Sequence, residues 1–181
     1  RIAAGKNITA TGARPAVPAI PGLETVPYLT STTALDLEEL PRSLLVIGGG
    51  YIGAELAQMF ARAGVKVTLV CRSRLLPEAE PEIGAALTGY FEDEGITVIS
   101  GIAYRAIRKT EGRASLTVTR DGHDVQIDAD QVLITTGRTP NIEGLGLAEH
   151  GITVSAKGGI VVDDRMRTTK AGVYAAGDVT G

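Results

Sequence analysis

The chain has 181 residues, of which 44% are hydrophobic and 22% charged, and its net charge is −3. That balance fits a soluble globular protein and argues against nucleic acid or an anionic membrane as a partner, and no apolar stretch approaches the ~20 residues of a membrane span. A single cysteine excludes an internal disulfide, and with only two histidines there is no convincing zinc site.

Residues 1–40 begin with a short strand ending at Thr11-Gly12, followed by "RPAVPAIPGL". The proline spacing there disfavours helix and predicts an extended linker. "LLVIG" (44–48) is a continuous apolar run, expected of a strand buried on both faces. The helix after it places Ile52, Leu56, Met59, Phe60 and Ala63 on one face, with Gly64 as its stop. "VKVTLV" (65–70) is the second strand. Pro81 opens a second helix, with Ile83, Leu87, Tyr90 and Phe91 on one side and Gly95 at its end. "ITVIS" (96–100) is a third strand. This β-α-β-α-β order predicts an α/β fold with a Rossmann-like parallel sheet.

Residues 102–130 change character. "SLTVTRDGHDVQI" alternates apolar and polar residues around Asp121-Gly122, a hairpin signal, and predicts an inserted antiparallel meander. "QVLITTG" (131–137) returns to a buried strand, and "GGIVVDD" and "GVYAAGD" are two more short strands. One device repeats: "ITATGARP" (8–15) and "LITTGRTP" (133–140) are near copies. The echo suggests two nucleotide-binding units of similar design; two ordinary strand-to-loop turns are the plainer account.

Gly48, Gly50 and Gly53 fit G-x-G-x-x-G between an apolar strand and an amphipathic helix, the context a dinucleotide fingerprint requires. Gly48 permits the tight turn, Gly50 admits a pyrophosphate to the backbone, and Gly53 lets helix and strand close up. The helix N-terminus then faces the phosphates. Cys71 stands where an acid would hydrogen-bond a ribose 2′-hydroxyl, and Arg72 and Arg74 flank it. Two arginines would instead pair with a 2′-phosphate and select NADP; a solvated basic loop is the alternative. Glu55 either interacts with the helix dipole or serves the cofactor.

Four motifs in order, "ATGARPAVPAIPGL", "VIGGGYIGAELAQMFARAGVKVTLV", "TTGRTPN" and "VYAAGDVTG", resemble the flavin-dependent pyridine nucleotide–disulfide oxidoreductases over essentially the whole chain. Within that family "PYLTSTTAL" and "VDDRMRTTKAGVYAAGD" are most similar to mercuric reductases, with dihydrolipoyl dehydrogenase-like and glutathione reductase-like enzymes as alternatives. The resemblance implies that NADPH docks on Gly48, Gly49, Gly50, Tyr51, Ile52 and Gly53 and passes hydride through FAD to a redox disulfide and then to Hg(II). It makes Tyr51 a gate over the flavin, Glu55 a group that places the nicotinamide, and Gly137 part of the nucleotide crevice. Thr11, Gly12, Arg138 and Asp178 would serve FAD in the parent protein, with Asp178 bonding a ribityl hydroxyl.

The chain opens on Arg1 in mid-pattern, and the family's flavin glycine motif, CxxC and dimerisation domain are absent from it. It is expected to be a piece of a longer flavoprotein. Residues 1–40 would be a partial FAD-domain segment and linker, 41–140 the NADP-binding domain, and 141–181 the return to the FAD domain. The parent would be a cytoplasmic homodimer with reducible thiols, and the isolated piece a nucleotide-binding module without turnover.

Overall fold

The computed structural model describes residues 4–181. Its strands in chain order are β1 (Asn7–Thr9), β2 (Ala13–Pro15), β3 (Leu29–Thr30), β4 (Ser43–Ile47), β5 (Lys66–Val70), β6 (Thr97–Ile99), β7 (Ala103–Thr110), β8 (Arg113–Arg120), β9 (His123–Ala129), β10 (Gln131–Ile134), β11 (Arg138–Pro140) and β12 (Val173–Ala175). The helices are α1 (Tyr51–Arg62) and α2 (Pro81–Asp93). The chain divides into two compact units. Pro15–Gly137 forms one, and the other is built from the segment ending at Arg14 together with Arg138–Gly181.

In the continuous unit five strands form a parallel sheet in the order β3-β10-β4-β5-β6. On one face, Leu45, Ile47, Val132 and Ile134 pack with Leu116, Val118 and Ile127 of the antiparallel sheet β7-β8-β9. On the other, Leu44, Val46, Leu69 and Leu133 pack with Ala57 and Phe60 of α1 and Phe91 of α2. Burial on both faces is why β4 reads as an unbroken apolar run. The meander is present as expected. Asp121 and Gly122 both take positive φ, 51° and 79°, as a two-residue hairpin turn requires. A second such turn, Glu111-Gly112, joins β7 to β8 with φ of 52° and 81°.

The helix faces differ from the expected ones. The buried residues of α1 are Gly53, Ala54, Ala57 and Phe60, whereas Met59 is exposed and Ile52 and Leu56 are half-buried. Small residues let the helix approach the sheet, so the larger neighbours are left on its flanks. In α2, Gly84 and Phe91 are buried, while Ile83 and Tyr90 face outward. The stop at Gly64 holds: its φ is +92°, and its N–H bonds the Ala61 carbonyl at 2.9 Å.

The proline-rich stretch is not a free linker. Ile20, Leu23 and Val26 are buried in the cluster over the meander, and Pro21 O accepts the Ile107 N–H at 2.9 Å. A Cβ on Gly22 would stand 2.1 Å from the Ile107 carbonyl oxygen, so only glycine passes there. Residues 15–40 therefore fold with the parallel-sheet unit.

In the other unit β1 and β12 form a two-stranded parallel ladder, over a small cluster of Leu147, Ile152, Ile160, Ala175 and Val179. β2 pairs with β11, so the arginine- and proline-bearing ends of the two copies of the repeated device run side by side. The stretch "GGIVVDD", expected as a strand, makes only an isolated bridge between Val154 and Ile160.

Candidate functional site

The glycine turn grows directly from the buried end of β4. Gly48 takes φ +124°, and a Cβ there would lie 2.4 Å from the Thr135 carbonyl oxygen. Its N–H bonds Val70 O at 2.9 Å, which ties the turn to β5. Thr135, buried beneath, holds its hydroxyl 3.1 Å from both the Ile47 and Gly48 carbonyls. Sequence reasoning missed this threonine, although it stands in "LITTGRTP", one copy of the repeated device. A Cβ on Gly53 would come within 2.1 Å of the Gly48 carbonyl oxygen, so Gly53 is what lets α1 start this close to β4.

Gly50 is different. Nothing lies within 4 Å of a Cβ built on it. It is the N-cap of α1, no side chain caps that helix end, and its first turn holds no acidic residue. The first amides of an α-helix lack intrahelical acceptors, and the positive end of the helix dipole lies at this end. An uncapped helix end of this kind favours an anion. Tyr51, 58% exposed, and exposed Glu55 lie one turn apart on the same side; Ile52 is half-buried. Because α1 begins at Tyr51, Glu55 falls in the second turn and not in the first, which weakens the dipole role.

The end of β5 lies beside the turn. Cys71, expected at a ribose-binding tip, has its side chain 3% exposed. A Cβ on Gly49 would meet Cys71 Cβ at 2.8 Å and its Sγ at 3.1 Å. Cys71 therefore packs the turn against β5, and burial pushes its thiol pKa up. Arg72 and Ser73 are exposed. The tip is held by Cys71 N–H to Ile99 O, 3.0 Å, and Gly101 N–H to Ser73 O, 2.9 Å. Nearby Tyr104 has its pKa pushed up to about 12, chiefly by burial, with Cys71 adding to the rise and Arg72 opposing it.

Arg74 departs from the expectation of a second phosphate ligand. Its guanidinium donates to the carbonyls of Ala79 at 2.7 Å, Pro77 at 3.0 Å, Leu76 at 3.2 Å and Glu80 at 3.5 Å. Of the two arginines, Arg72 is the one whose side chain is open to a ligand. Gly137, φ +128°, ends this unit with open space around its Cα.

The second unit brings together the residues expected to serve a flavin. Thr11 and Asn141 bond reciprocally: the Thr11 hydroxyl donates to Asn141 O at 2.6 Å, and the Asn141 amide to Thr11 O at 3.0 Å. Gly12, φ +70°, has open space at its Cα, and its carbonyl accepts the Asn141 N–H at 2.9 Å. Arg138 bonds Asp178 at 3.2 Å and the Ala13 carbonyl. Arg14 forks onto Glu143 and Asn141; neither partner was foreseen.

Comparison with known proteins decides the family. The family model for pyridine nucleotide-disulphide oxidoreductases matches residues 1–181. The chain belongs to this family. Among curated members, a mercuric reductase of Streptomyces lividans is 46% identical over 179 residues, 99% of this chain and 38% of that protein. A mercuric reductase of Staphylococcus aureus is 45% identical, over 97% of this chain and 34% of its own length. The chain thus spans little more than a third of these oxidoreductases. Among solved structures, the Cu(II) complex of the HOCl-induced flavoprotein disulfide reductase RclA from Escherichia coli superposes with a TM-score of 0.89 at 36% identity, covering 97% of this chain and 40% of that one. An engineered water-forming NADPH oxidase bound to NADPH superposes at 0.82 with 25% identity, covering 97% and 39%. Membership of this family implies flavin and nicotinamide cofactors for its full-length members.

Proposed function

We propose that the Pro15–Gly137 unit binds NADPH, and that the chain is the dinucleotide-binding portion of an FAD-dependent reductase acting on mercury(II). The observation that carries the nucleotide reading is the open cradle at Gly50, in front of an uncapped helix end and beside exposed Arg72. The amides of Tyr51, Ile52 and Gly53 take the pyrophosphate, and Gly49 keeps the turn closed on β5. Arg72 pairs with the 2′-phosphate through charge-assisted bonds. In support, the engineered NADPH oxidase carries consecutive changes of Asp to Ala, Ala to Arg and Met to Ser; this chain reads Cys71-Arg72-Ser73.

Glu55 and Tyr51, exposed side by side on α1, orient the nicotinamide and cover the flavin, and Gly137 lines the crevice. Bound here, a nicotinamide would supply a hydride, and in the parent protein the flavin and a redox disulfide would supply the path of its electrons to Hg(II). Thr11, Gly12, Arg138 and Asp178 hold part of the FAD. The parent works as a homodimer in the cytoplasm. This chain alone reduces neither mercury nor a disulfide, because Cys71 is its one cysteine and is buried under Gly49.

Mercury as acceptor rests on the names of the curated relatives. The likeness to RclA favours a second reading, a flavoprotein disulfide reductase with another acceptor. Titration of this chain with NADPH and NADH tests the nucleotide reading, and binding of neither sinks it. NADPH oxidation by the full-length protein, with Hg(II) compared against disulfides, tests the acceptor.

A further inference from the structure

The connection from β5 to α2 runs through Leu75–Glu80 without regular structure, yet it carries the flank of the cradle. Leu75 and Leu76 are buried, and the Leu76 N–H bonds Gly49 O at 2.7 Å, directly joining this loop to the glycine turn. Four of its carbonyls, those of Leu76, Pro77, Ala79 and Glu80, converge on the Arg74 guanidinium at 2.7 to 3.5 Å. Carbonyl dipoles pointing at one spot repel one another unless a cation stands there. The planar guanidinium, with five N–H donors spread over a fork, serves several directions at once. The first helical turn of α2 comes equally close: a Cβ on Gly84 would stand 2.5 Å from Leu75 O and 3.3 Å from Arg74 Nη1.

We propose that Arg74 is a positioning residue: it gathers the β5–α2 connection into one shape, so that Gly49 and the exposed Arg72 stay where a dinucleotide meets them. It does not select the 2′-phosphate. The proposal rests on the nucleotide-binding reading above and divides the labour between two arginines separated by one residue. Arg72 distinguishes NADPH from NADH, while Arg74 supports both alike.

The test titrates NADPH and NADH against the wild-type chain, Arg72→Ala, Arg74→Ala and Arg74→Lys, with amide hydrogen exchange measured over residues 75–84 in each. Arg74→Ala is expected to weaken both dinucleotides by the same factor, about tenfold, and to speed exchange across 75–84. Arg74→Lys keeps the charge but not the fork, so it is expected to resemble Arg74→Ala. Arg72→Ala should leave exchange unchanged and lower NADPH affinity alone. Loss of NADPH binding only in Arg74→Ala, or full rescue by Arg74→Lys, would make Arg74 a phosphate ligand and overturn the proposal. So would unchanged exchange over 75–80, whatever the titrations give. A wild-type chain that binds neither dinucleotide overturns the nucleotide reading instead, and exchange still decides whether the guanidinium holds the loop.

Discussion

Gly53 lies directly against the carbonyl of Gly48: a Cβ added to Gly53 would stand 2.1 Å from that oxygen, with the Thr135 hydroxyl 2.7 Å away on the same side. Neither neighbour can yield, since one is backbone and the other is fixed by two carbonyls. Gly53→Ala is therefore expected to destabilise the chain by at least ~2 kcal/mol. At this chain length, that lowers the melting temperature of the parallel-sheet unit by roughly 4–8 °C. Thermal denaturation followed by circular dichroism reads the change, and an unchanged melt would mean that α1 can start further from β4.

Gly50→Ala tests the opposite property. The position has φ −76°, which any residue adopts, and open space at its Cα. The melting temperature should stay within about 1 °C of wild type, while dinucleotide affinity falls at least tenfold because the methyl fills the cradle. Retained affinity in a folded variant would remove the pyrophosphate from this turn.

Arg72→Ala should cost NADPH about tenfold and leave NADH nearly unchanged. A hydrogen bond to a charged group is worth roughly 1.5–3 kcal/mol, and an exposed arginine belongs at the low end. The NADPH preference should also shrink as salt rises, since the Debye length is only about 8 Å at physiological ionic strength. Calorimetric titration at two salt concentrations measures both effects. Equal affinities of the wild type for the two cofactors would return Cys71-Arg72-Ser73 to the status of a solvated loop.

Burial raises the pKa of the Cys71 thiol from the ordinary 9.0. A group that holds its proton more tightly when folded adds stability below its unfolded pKa, and that stability is lost as pH climbs past the folded value. At pH 8 the native thiol is expected to resist iodoacetamide and to react quickly only in denaturant. Mass spectrometry of the alkylated chain follows this; rapid native labelling would place Cys71 in solvent. Cys71→Glu should not convert the site to NADH. Gly49 closes on position 71, so the new carboxylate would be forced into the packed interior at a cost of roughly several kcal/mol, and the melt should fall instead.

Arg167 holds the Asp163 carboxylate far below its usual range, from 3.8 to about 2: the hydrogen bond from its guanidinium is the largest single cause, and the backbone N–H groups of Arg167 and Arg165 help. A depressed carboxylate contributes stability above its unfolded pKa and loses it as pH falls through about 2. Arg167→Gln should return the Asp163 titration toward 3.8, as read by carbon-detected NMR. A midpoint that stays near 2 would assign the shift to the backbone amides alone.

The glycine turn was legible because its spacing answers to hard sterics. Gly48 and Gly53 are the two positions where a Cβ would strike backbone oxygen, and Gly50 is the one left open. The helix faces were less legible, because beside Phe60, which the periodicity does place inside, the seat of α1 is made by Gly53, Ala54 and Ala57, which carry little hydrophobic signal, while bulkier Ile52, Leu56 and Met59 sit on the flanks. The role of Arg74 left no mark at all: its partners are carbonyls, which every residue possesses, and only the path of the loop brings four of them to one point. Thr135 was hidden for the same reason, since its hydroxyl also answers to backbone.

The ladder of β1 with β12 pairs Asn7, Ile8 and Thr9 with Val173, Tyr174 and Ala175, strand partners drawn from opposite ends of the sequence. During synthesis the amino-terminal strand leaves the ribosome long before its partner exists. The Pro15–Gly137 stretch is continuous and can reach its native contacts meanwhile. The discontinuous unit must wait, and closing so long a loop is slow. Through that interval β1 lacks its β12 partner, and a strand edge left without its partner is the kind of surface on which a nascent chain meets chaperones or its own neighbours.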